Sequence, residues 1–384
     1  MSKPTSPDYE YVYEYEYEEN STIPVYYDVD KEIQLVLLIS SLADWLYTAK
    51  FVAAIAGFFL NIPHFLVLIH KDMRTSSINT IMCAVAFADI LITFNFIYQY
   101  LFDLYSNGIC NSPFSYHFVL ISLFSEICVN IFLRVSPWLG LMTAVIRLLV
   151  ISFPFNDQIG RLSDKPTGYR VIVILILISS LISAGNYGRM TIVKDGRWKP
   201  PKSCGYPPNY SELQYTMVIG RKLFFTTSTT DRIHFIVKGA CNVIPAICYP
   251  ILALFLVFKF AKIEKNRDLL AGERKKREKQ NTTKLVILMT ITFSLSQLPS
   301  GIDYWLQLYY ANNSVISLIL EYQTVFSTVL LTISATFHVC VFVLMSSQYR
   351  EVARKVFGCL RWDNQVNVVM VASSNAESEQ SRHI

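Results

Sequence analysis

The stretch FVAAIAGFFLNIPHFLVLIH, residues 51–70, contains no Asp, Glu, Lys or Arg, and it lies between Lys50 and Lys71. A helix needs roughly 20 mostly apolar residues to cross the hydrocarbon core of a bilayer. The stretch therefore predicts a membrane-spanning helix, and six further stretches of the chain have the same character.

The composition of the whole chain is typical of a lipid-embedded protein. Of its 384 residues, 52% are hydrophobic and only 16% are charged, whereas globular chains carry about 25% charged residues. Residues 1–32 hold nine acids and two lysines, whereas residues 259–284 hold ten Lys or Arg and four acids. In a membrane protein such an asymmetry is first a signal of topology. The N-terminal MSKPTSPDYE has no basic region followed by an apolar run, so we expect span one to act as its own insertion signal.

The apolar stretches predict an all-α fold, a bundle of seven transmembrane helices. Spans one to seven cover about residues 50–71, 75–102, 117–153, 171–188, 239–258, 284–308 and 322–349. The apolar run 33–43 is too short to cross the bilayer. We expect it to extend span one at the extracellular surface.

The bundle divides the chain into four regions. Residues 1–46 are expected to form an acidic, mostly disordered extracellular N-terminus, 47–345 the transmembrane domain, 346–360 an interfacial amphipathic helix and 361–384 a cytoplasmic tail. The amphipathic helix is predicted by apolar residues recurring at i, i+3, i+4 and i+7, namely Tyr349, Val352, Ala353, Val356, Phe357 and Leu360.

The basic residues of the short loops predict the orientation. They follow spans one and seven, lie between spans three and four, and form the run GERKKREK before span six. The positive-inside bias makes these loops cytoplasmic, which places the N-terminus outside in a multi-pass plasma-membrane protein. The sequons at Asn20, Asn209 and Asn312 then lie outside as glycosylation candidates, whereas Asn281 lies inside. The basic loop 191–233 argues for the opposite orientation, but in long loops the charge bias is weak.

Polar residues inside the spans are costly in lipid and are therefore functional candidates. They include Asn61 in span one, Asp89 in span two, and Arg147 at the foot of span three, and prolines occur in spans five and six. This set resembles the rhodopsin-like G-protein-coupled receptors. The motifs HKDMRTSSIN, WLGLMTAVIR, TTKLVILMTITF and HVCVFVLMSSQYR resemble the nematode serpentine receptor class W group in particular. That group is similar to insect receptors for myosuppressin and FMRFamide-like peptides, and the resemblance covers about residues 47–358.

The resemblance implies an ion or switch site around Asp89. In such receptors the equivalent Asp binds a sodium ion together with a serine of span three, here Ser136. His338 replaces the usual asparagine of span seven and is a plausible partner for Asp89. The alternative is a structural role, in which Asn61 and span seven satisfy the carboxyl group.

The resemblance also implies that Arg147 meets a heterotrimeric G protein, with Pro154 opening the loop that follows. The alternative is that Arg147 only reaches the lipid headgroups. The usual Asp-Arg-Tyr motif reads Ile146-Arg147-Leu148 here, and the position expected to carry an acid at the foot of span six is Lys279. Arrestin is a further expected partner, since serines lie near Glu377 and Glu379 in the tail; a bland tail is the alternative.

Three further modifications are expected. The resemblance implies a disulfide between Cys110 and Cys204, although the sequence leaves Cys128 open as a partner. Cys359, at the end of the amphipathic helix, is a palmitoylation candidate. Tyrosines alternate with acids in DYEYVYEYEYEE, residues 8–19, which favours sulfation and the steering of a basic ligand. An unmodified acidic segment is the alternative.

Polar residues in the outer halves of the spans predict a ligand pocket. They are Glu126, Arg134, Gln297, Asp303, Tyr304 and Glu321. Glu126 and Arg134 are eight residues apart and share a helix face, so they either pair with each other or hold a peptide end between them. The acids suit the guanidinium of an Arg-Phe-amide peptide, whereas the basic loop 191–233 favours an acidic ligand.

The leading hypothesis is a receptor for an extracellular neuropeptide that signals through a G protein. A chemoreceptor for an environmental cue is the alternative, and a seven-span transporter or channel is a weaker one, because no repeated halves are visible. Neither a cofactor nor an enzymatic activity is predicted.

Overall fold

A computed structural model describes residues 29–106, 108, 110–112, 115–219, 227–267, 273–310 and 314–358. Nine α-helices lie in these ranges: α1 (Val29–Ile69), α2 (Ser77–Ser106), α3 (Tyr116–Ser152), α4 (Asp157–Gly160), α5 (Lys165–Tyr187), α6 (Thr227–Arg267), α7 (Glu273–Tyr310), α8 (Ser314–Met345) and α9 (Ser347–Gly358). Two strands, β1 (Met190–Trp198) and β2 (Glu212–Ile219), separate α5 from α6. Spans one to seven correspond to α1, α2, α3, α5, α6, α7 and α8.

Six helices carry an apolar window long enough to cross a membrane. Within the described residues these segments are Leu37–Ile69, Ser77–Ser106, Tyr116–Ser152, Lys165–Tyr187, Arg232–Lys259 and Tyr322–Leu344. Span six lies in α7, where the side chains of residues 273–290 are outside the described set. The apolar run 33–43 is continuous with span one, since α1 begins at Val29.

The long helices pack through close approaches of their backbones. A Cβ atom added to Gly57 of α1 would lie 2.7 Å from Thr336 Oγ1 of α8, and one added to Gly168 of α5 would lie 2.8 Å from the Ser77 carbonyl oxygen of α2. Small residues at such crossings let two helices approach closely, which is a main source of packing energy inside a bilayer.

Within residues 190–219, between α5 and α6, the chain forms two strands, so the prediction of an all-α chain is wrong there. β1 and β2 form an antiparallel hairpin that pairs Met190 with Ile219 and Trp198 with Glu212. Both strands contain β-branched residues, which favour extended backbone. The register shifts between Lys194 and Arg197, where Gly196 has a φ of +79°. Glycine adopts such a backbone without steric cost, and it marks a bulge in β1.

Helix α9 follows α8 directly and packs against the C-terminal ends of α1 and α8. Tyr349 and Val352 are buried in a cluster with Val67, Leu68 and Phe342. Lys355 Nζ lies 3.1 Å from Asp72 Oδ2, in the turn after α1. The Gln348 side chain donates to the Asp72 carbonyl oxygen over 3.0 Å. Of the predicted apolar face, Tyr349 and Val352 are thus turned toward the bundle, whereas Phe357 is 48% exposed.

Candidate functional site

The outer half of the bundle contains a group of interacting polar side chains on four helices. Glu126 of α3 accepts a 3.0 Å hydrogen bond from the Tyr187 hydroxyl at the end of α5. Lys238 of α6 has its Nζ 5.2 Å from the ring centroid of Tyr304 on α7 and interacts electrostatically with Glu126. Tyr187 and Tyr304 both interact with Arg134. We call Glu126, Arg134, Tyr187, Lys238 and Tyr304 the outer cluster.

Arg134 turns toward span four rather than toward Glu126. Its Nε donates to Ser179 Oγ over 3.1 Å, and its Nη2 donates to the Ser179 carbonyl oxygen over 3.2 Å and to Ser183 Oγ. Glu126 is engaged by Tyr187 instead. Arg134 and Glu126 thus form hydrogen bonds with different residues of α5 and not with each other.

Asp303 is a buried acid beside the outer cluster. Its carboxylate accepts hydrogen bonds from Thr324 Oγ1 and from Gln307 Nε2, the latter over 3.3 Å, and this links α7 to α8. Its second oxygen, Oδ1, has no hydrogen-bond partner among the described residues. A buried carboxylate with an open acceptor is suited to receive a donor from a ligand.

The sequence predicts four of these residues as site residues, namely Glu126, Arg134, Asp303 and Tyr304. Lys238 and Tyr187 were missed because they lie at the ends of apolar stretches, where a polar side chain ordinarily faces the interface. Lys50 was missed likewise, although it is buried with its Nζ 4.8 Å from the ring centroids of Tyr47 and Phe96. The sequence contains a signal for it, because Lys50 lies between the apolar run 33–43 and the apolar stretch 51–70.

Gln297 lies deeper than predicted. It lines a central cavity of about 20 Å³ together with Asp89, Ser136, His338, Ser296 and Ser334. A cavity of this size holds about one water-sized particle. The structure therefore places Gln297 in the wall of the ion or switch site.

Asp89 and His338 are a buried pair in that cavity. His338 Nδ1 lies 3.3 Å from Asp89 Oδ2, which joins α2 to α8. Asn61 donates instead to the Gly57 carbonyl oxygen of its own helix over 2.9 Å. The structural partner of Asp89 is thus His338 of span seven, and Asn61 does not take this role.

The predicted sodium ion has a suitable set of donors in this cavity. Hard cations prefer oxygen ligands, and Asp89 and Ser136, which carry side-chain oxygens, both line the cavity. These two residues would hold the ion, which would supply a positive charge beside the carboxylate. Asp89 Oδ2 also contacts His338, so the imidazole shares the carboxylate with any such ion.

Arg147 lies near the C-terminal end of α3 and interacts electrostatically with Tyr249 of α6. The Tyr249 ring stacks on Phe293 of α7 with centroids 4.6 Å apart. Ile146, in place of the usual acid, is buried in an apolar cluster. Helix α3 ends at Ser152, so Pro154 opens the connection to α4, where the side chain of Phe155 is 99% exposed.

The opposite end of the bundle contains the disulfide. Cys110 and Cys204 are bonded, with Cα atoms 5.3 Å apart, and Cys128 is a free cysteine. The Tyr206 hydroxyl donates to the Cys110 carbonyl oxygen over 3.1 Å. These contacts fix the loop between β1 and β2 to the segment before α3. Asn209 is exposed in this loop.

A comparison with protein-family models identifies the family. The model described as serpentine type 7TM GPCR chemoreceptor Srw matches residues 48–360. The chain belongs to this Srw family. No curated protein sequence matches the chain significantly.

Membership of the Srw family establishes a multi-pass membrane protein that is a G-protein-coupled receptor and not an enzyme. The seven-helix architecture follows from the same match, together with the six apolar helices described above. Arg147, Pro154 and Phe155 lie toward the end of the bundle opposite to the disulfide.

Several predicted site residues lie outside the described residues. They are Asn20, Asn312 and Cys359, together with the side chains of Lys279 and Glu321. The acidic segment 8–19 and the tail 361–384 also lie outside them.

Proposed function

We propose that this Srw receptor detects an extracellular peptide of the FMRFamide-like neuropeptide class. The observation that supports the proposal is the outer cluster, which combines a half-buried acid, Glu126, with a half-buried cation, Lys238, and a buried one, Arg134. Charges buried in lipid are costly unless they are paired or used. A peptide with both a cationic side chain and acceptor groups matches both signs, and Glu126 and Asp303 suit an Arg guanidinium.

The same proposal places the N-terminus and the hairpin outside the plasma membrane. The basic loops and the exposed sequon at Asn209 support this orientation. A G protein, and after phosphorylation of the tail arrestin, would bind at Arg147, Pro154 and the adjoining surface. Helix α9 would lie along the inner membrane surface, and palmitoylation of Cys359 would anchor its end.

A chemoreceptor for an environmental cue is the second candidate, and the description of the matching family favours it. A small cue would use only the buried outer cluster. A peptide would also touch the exposed side chains of the hairpin, such as Lys194 and Arg197. Dependence of the response on those two hairpin residues therefore separates the candidates.

The test is a panel of amidated peptides and small polar metabolites applied to cells expressing the receptor, with calcium and cAMP as readouts. We expect the receptor to respond to an Arg-Phe-amide peptide. Glu126→Gln should raise the half-maximal concentration of that peptide at least about tenfold, because one charge-assisted hydrogen bond is lost. Glu351→Gln, on the exposed face of α9, is the matched control and should leave the potency unchanged. If the receptor is present at the cell surface and responds to small molecules but to none of the peptides, the proposal of a peptide ligand is wrong.

A further inference from the structure

The hairpin of β1 and β2, with its connecting loop, presents an excess of basic side chains. Four of them are exposed, and we call these the hairpin cations: Lys194, Arg197, Lys199 and Lys202. None of the four forms an ion pair with a described residue, and Arg197 donates to Ser211 Oγ over 3.4 Å. The acids of the same range are Asp195 and Glu212, and Glu212 already accepts a hydrogen bond from the Tyr210 hydroxyl. The hairpin therefore carries positive charge that the described structure leaves unpaired.

The bulge in β1 brings two of the hairpin cations to one face of the hairpin. Lys194 pairs with Tyr215 of β2, and Arg197 pairs with Leu213. Residues that pair across antiparallel strands project to the same face, and so do residues two apart within one strand. Leu213 and Tyr215 therefore share a face, and their partners share it too. In a regular strand, residues three apart such as Lys194 and Arg197 would point to opposite faces.

The hairpin lies at the end of the bundle where the chain enters α1. The Tyr215 ring contacts the ring of Tyr116 at the start of α3, with centroids 5.7 Å apart. The Tyr47 hydroxyl of α1 donates to the Asp103 carboxylate near the end of α2. The disulfide ties the loop of the hairpin to the segment between α2 and α3. The residues that precede Val29 therefore join the bundle at the same end as the hairpin.

The segment 8–19, which lies outside the described residues, has the opposite charge and a sufficient tether. It contains six acids, five tyrosines and no Lys or Arg. Its last residue, Glu19, is ten residues before Val29, and at about 3.3–3.6 Å per residue this connection spans at most roughly 33–36 Å. Helix α1 rises about 27 Å from Val29 to Tyr47. The segment can therefore reach back to the level of Tyr47, beside the end of α2.

We propose that the hairpin cations bind the acidic segment 8–19 of the same chain. Exposed ion pairs are individually weak, but several of them between two parts of one chain form without the cost of bringing two molecules together. The segment thus covers the basic side chains of the hairpin. A ligand that contacts Lys194 and Arg197 has to displace it.

This contact goes beyond the proposed peptide recognition, and its test needs neither ligand nor signalling, so the two can fail separately. The probe is a carbodiimide, which joins a carboxylate to a lysine amine when the two groups are in contact. It is applied to the purified full-length receptor in phosphatidylcholine nanodiscs that hold one copy each, and mass spectrometry of the digest locates the cross-links. We expect cross-links from residues 8–19 to the lysines among the hairpin cations. The pair of Lys355 and Asp72, 3.1 Å apart, is the internal standard.

Two double charge reversals form a matched pair. Lys194→Glu with Arg197→Glu turns two attractions into repulsions, so cross-links to the two remaining hairpin lysines should fall at least about tenfold. Arg161→Glu with Arg170→Glu changes the net charge equally, at exposed positions before and near the start of α5, and should leave these cross-links unchanged. Cross-linking of the internal standard in both variants checks that the fold is kept.

Three results would overturn the proposal. They are cross-linking of the internal standard without any cross-link from residues 8–19 to the hairpin, equal hairpin cross-linking in the two charge-reversed variants, and loss of the hairpin cross-links when phosphatidylserine is added to the nanodiscs. The last result would assign the hairpin cations to lipid headgroups.

Discussion

Single residues decide how the hairpin loop is held against the bundle, and the cysteines are the clearest case. Replacing Cys110 or Cys204 by Ser removes the bond between the segment before α3 and the loop of the hairpin. We expect a loss of about 2–5 kcal/mol in the free energy of unfolding and lower surface expression. Thermal unfolding of purified protein and surface labelling measure the two effects. The control is Cys128→Ser, since Cys128 is free. Equal stability of all three variants would contradict the prediction.

At this scale the sequence predicts which residues are important better than it predicts their partners. Glu126, Arg134, Asp89 and His338 stand out because polar groups are rare in apolar spans. Their contacts depend on how each helix is rotated about its axis, which one sequence does not specify. Arg134 could therefore face Glu126 or Ser179 on equal terms, and only the packing of α3 on α5 decides between them. Asp89 similarly pairs across 249 residues with His338.

Among the elements, the hairpin between β1 and β2 depends on one glycine. Gly196 has a φ of +79°, and an added Cβ atom there would meet no atom within 4 Å. Gly196→Val therefore introduces backbone strain without a clash, which we expect to cost about 1–2 kcal/mol. Amide hydrogen exchange of residues 190–219 should become faster. Gly185→Val is the control, because Gly185 also has open space around it but lies in helical backbone. Equal protection of the hairpin in both variants would contradict this account.

The hairpin also shows where prediction by pattern ends. Its strands are short, they carry charges between apolar residues, and they lie in a loop already assigned by the spacing of the spans. The sequence predicts the transmembrane helices because twenty consecutive apolar residues have few alternatives to a helix in a bilayer. The prediction and the structure differ at the ends of these helices. Charged residues beyond the bilayer let α6 and α7 extend further than their apolar windows indicated.

Helix α9 depends on a contact whose strength changes with pH. The hydrogen bond from Lys355 lowers the pKa of Asp72, and the same contact raises the pKa of Lys355. Because the Asp72 pKa is lower in the folded state, its stabilising effect is present above the ordinary pKa of an aspartate and is lost as the pH falls through the lowered value.

Asp72→Asn should therefore loosen α9, and hydrogen exchange of residues 347–358 should become faster at neutral pH. The matched control is Glu351→Gln, which removes the other, exposed partner of Lys355, at 3.4 Å. We expect hydrogen exchange of α9 to become faster at low pH in the wild type, and this acid dependence should be absent in the Asp72→Asn variant. An identical pH profile for both proteins would contradict the role assigned to Asp72.

For the whole molecule, we expect the balance between resting and active forms to depend on restraints around Arg147. The acid that commonly precedes this arginine is Ile146 here, and Lys279 occupies the second acidic position. A like-charge pair near a protein surface costs a few kcal/mol at most, less when screened. A change of about 1.4 kcal/mol alters a two-state ratio about tenfold.

We therefore expect measurable signalling without ligand, and we expect Lys279→Glu to lower it. Basal G-protein activation in membranes, normalised to surface expression, measures both. Lys275→Glu, in the same basic run, is the control for a general change of charge. Basal activity equal to that of membranes without receptor would contradict the prediction.

The disulfide has a consequence for chain connectivity. Cys110 and Cys204 are 94 residues apart, and the bond closes a covalent ring that contains α3, α4, α5 and β1. A protease that cuts once inside this ring, for instance at Arg161 in the connection between α3 and α5, severs the backbone but leaves both fragments attached. The nicked receptor then migrates as one molecule in electrophoresis until a reductant separates the pieces.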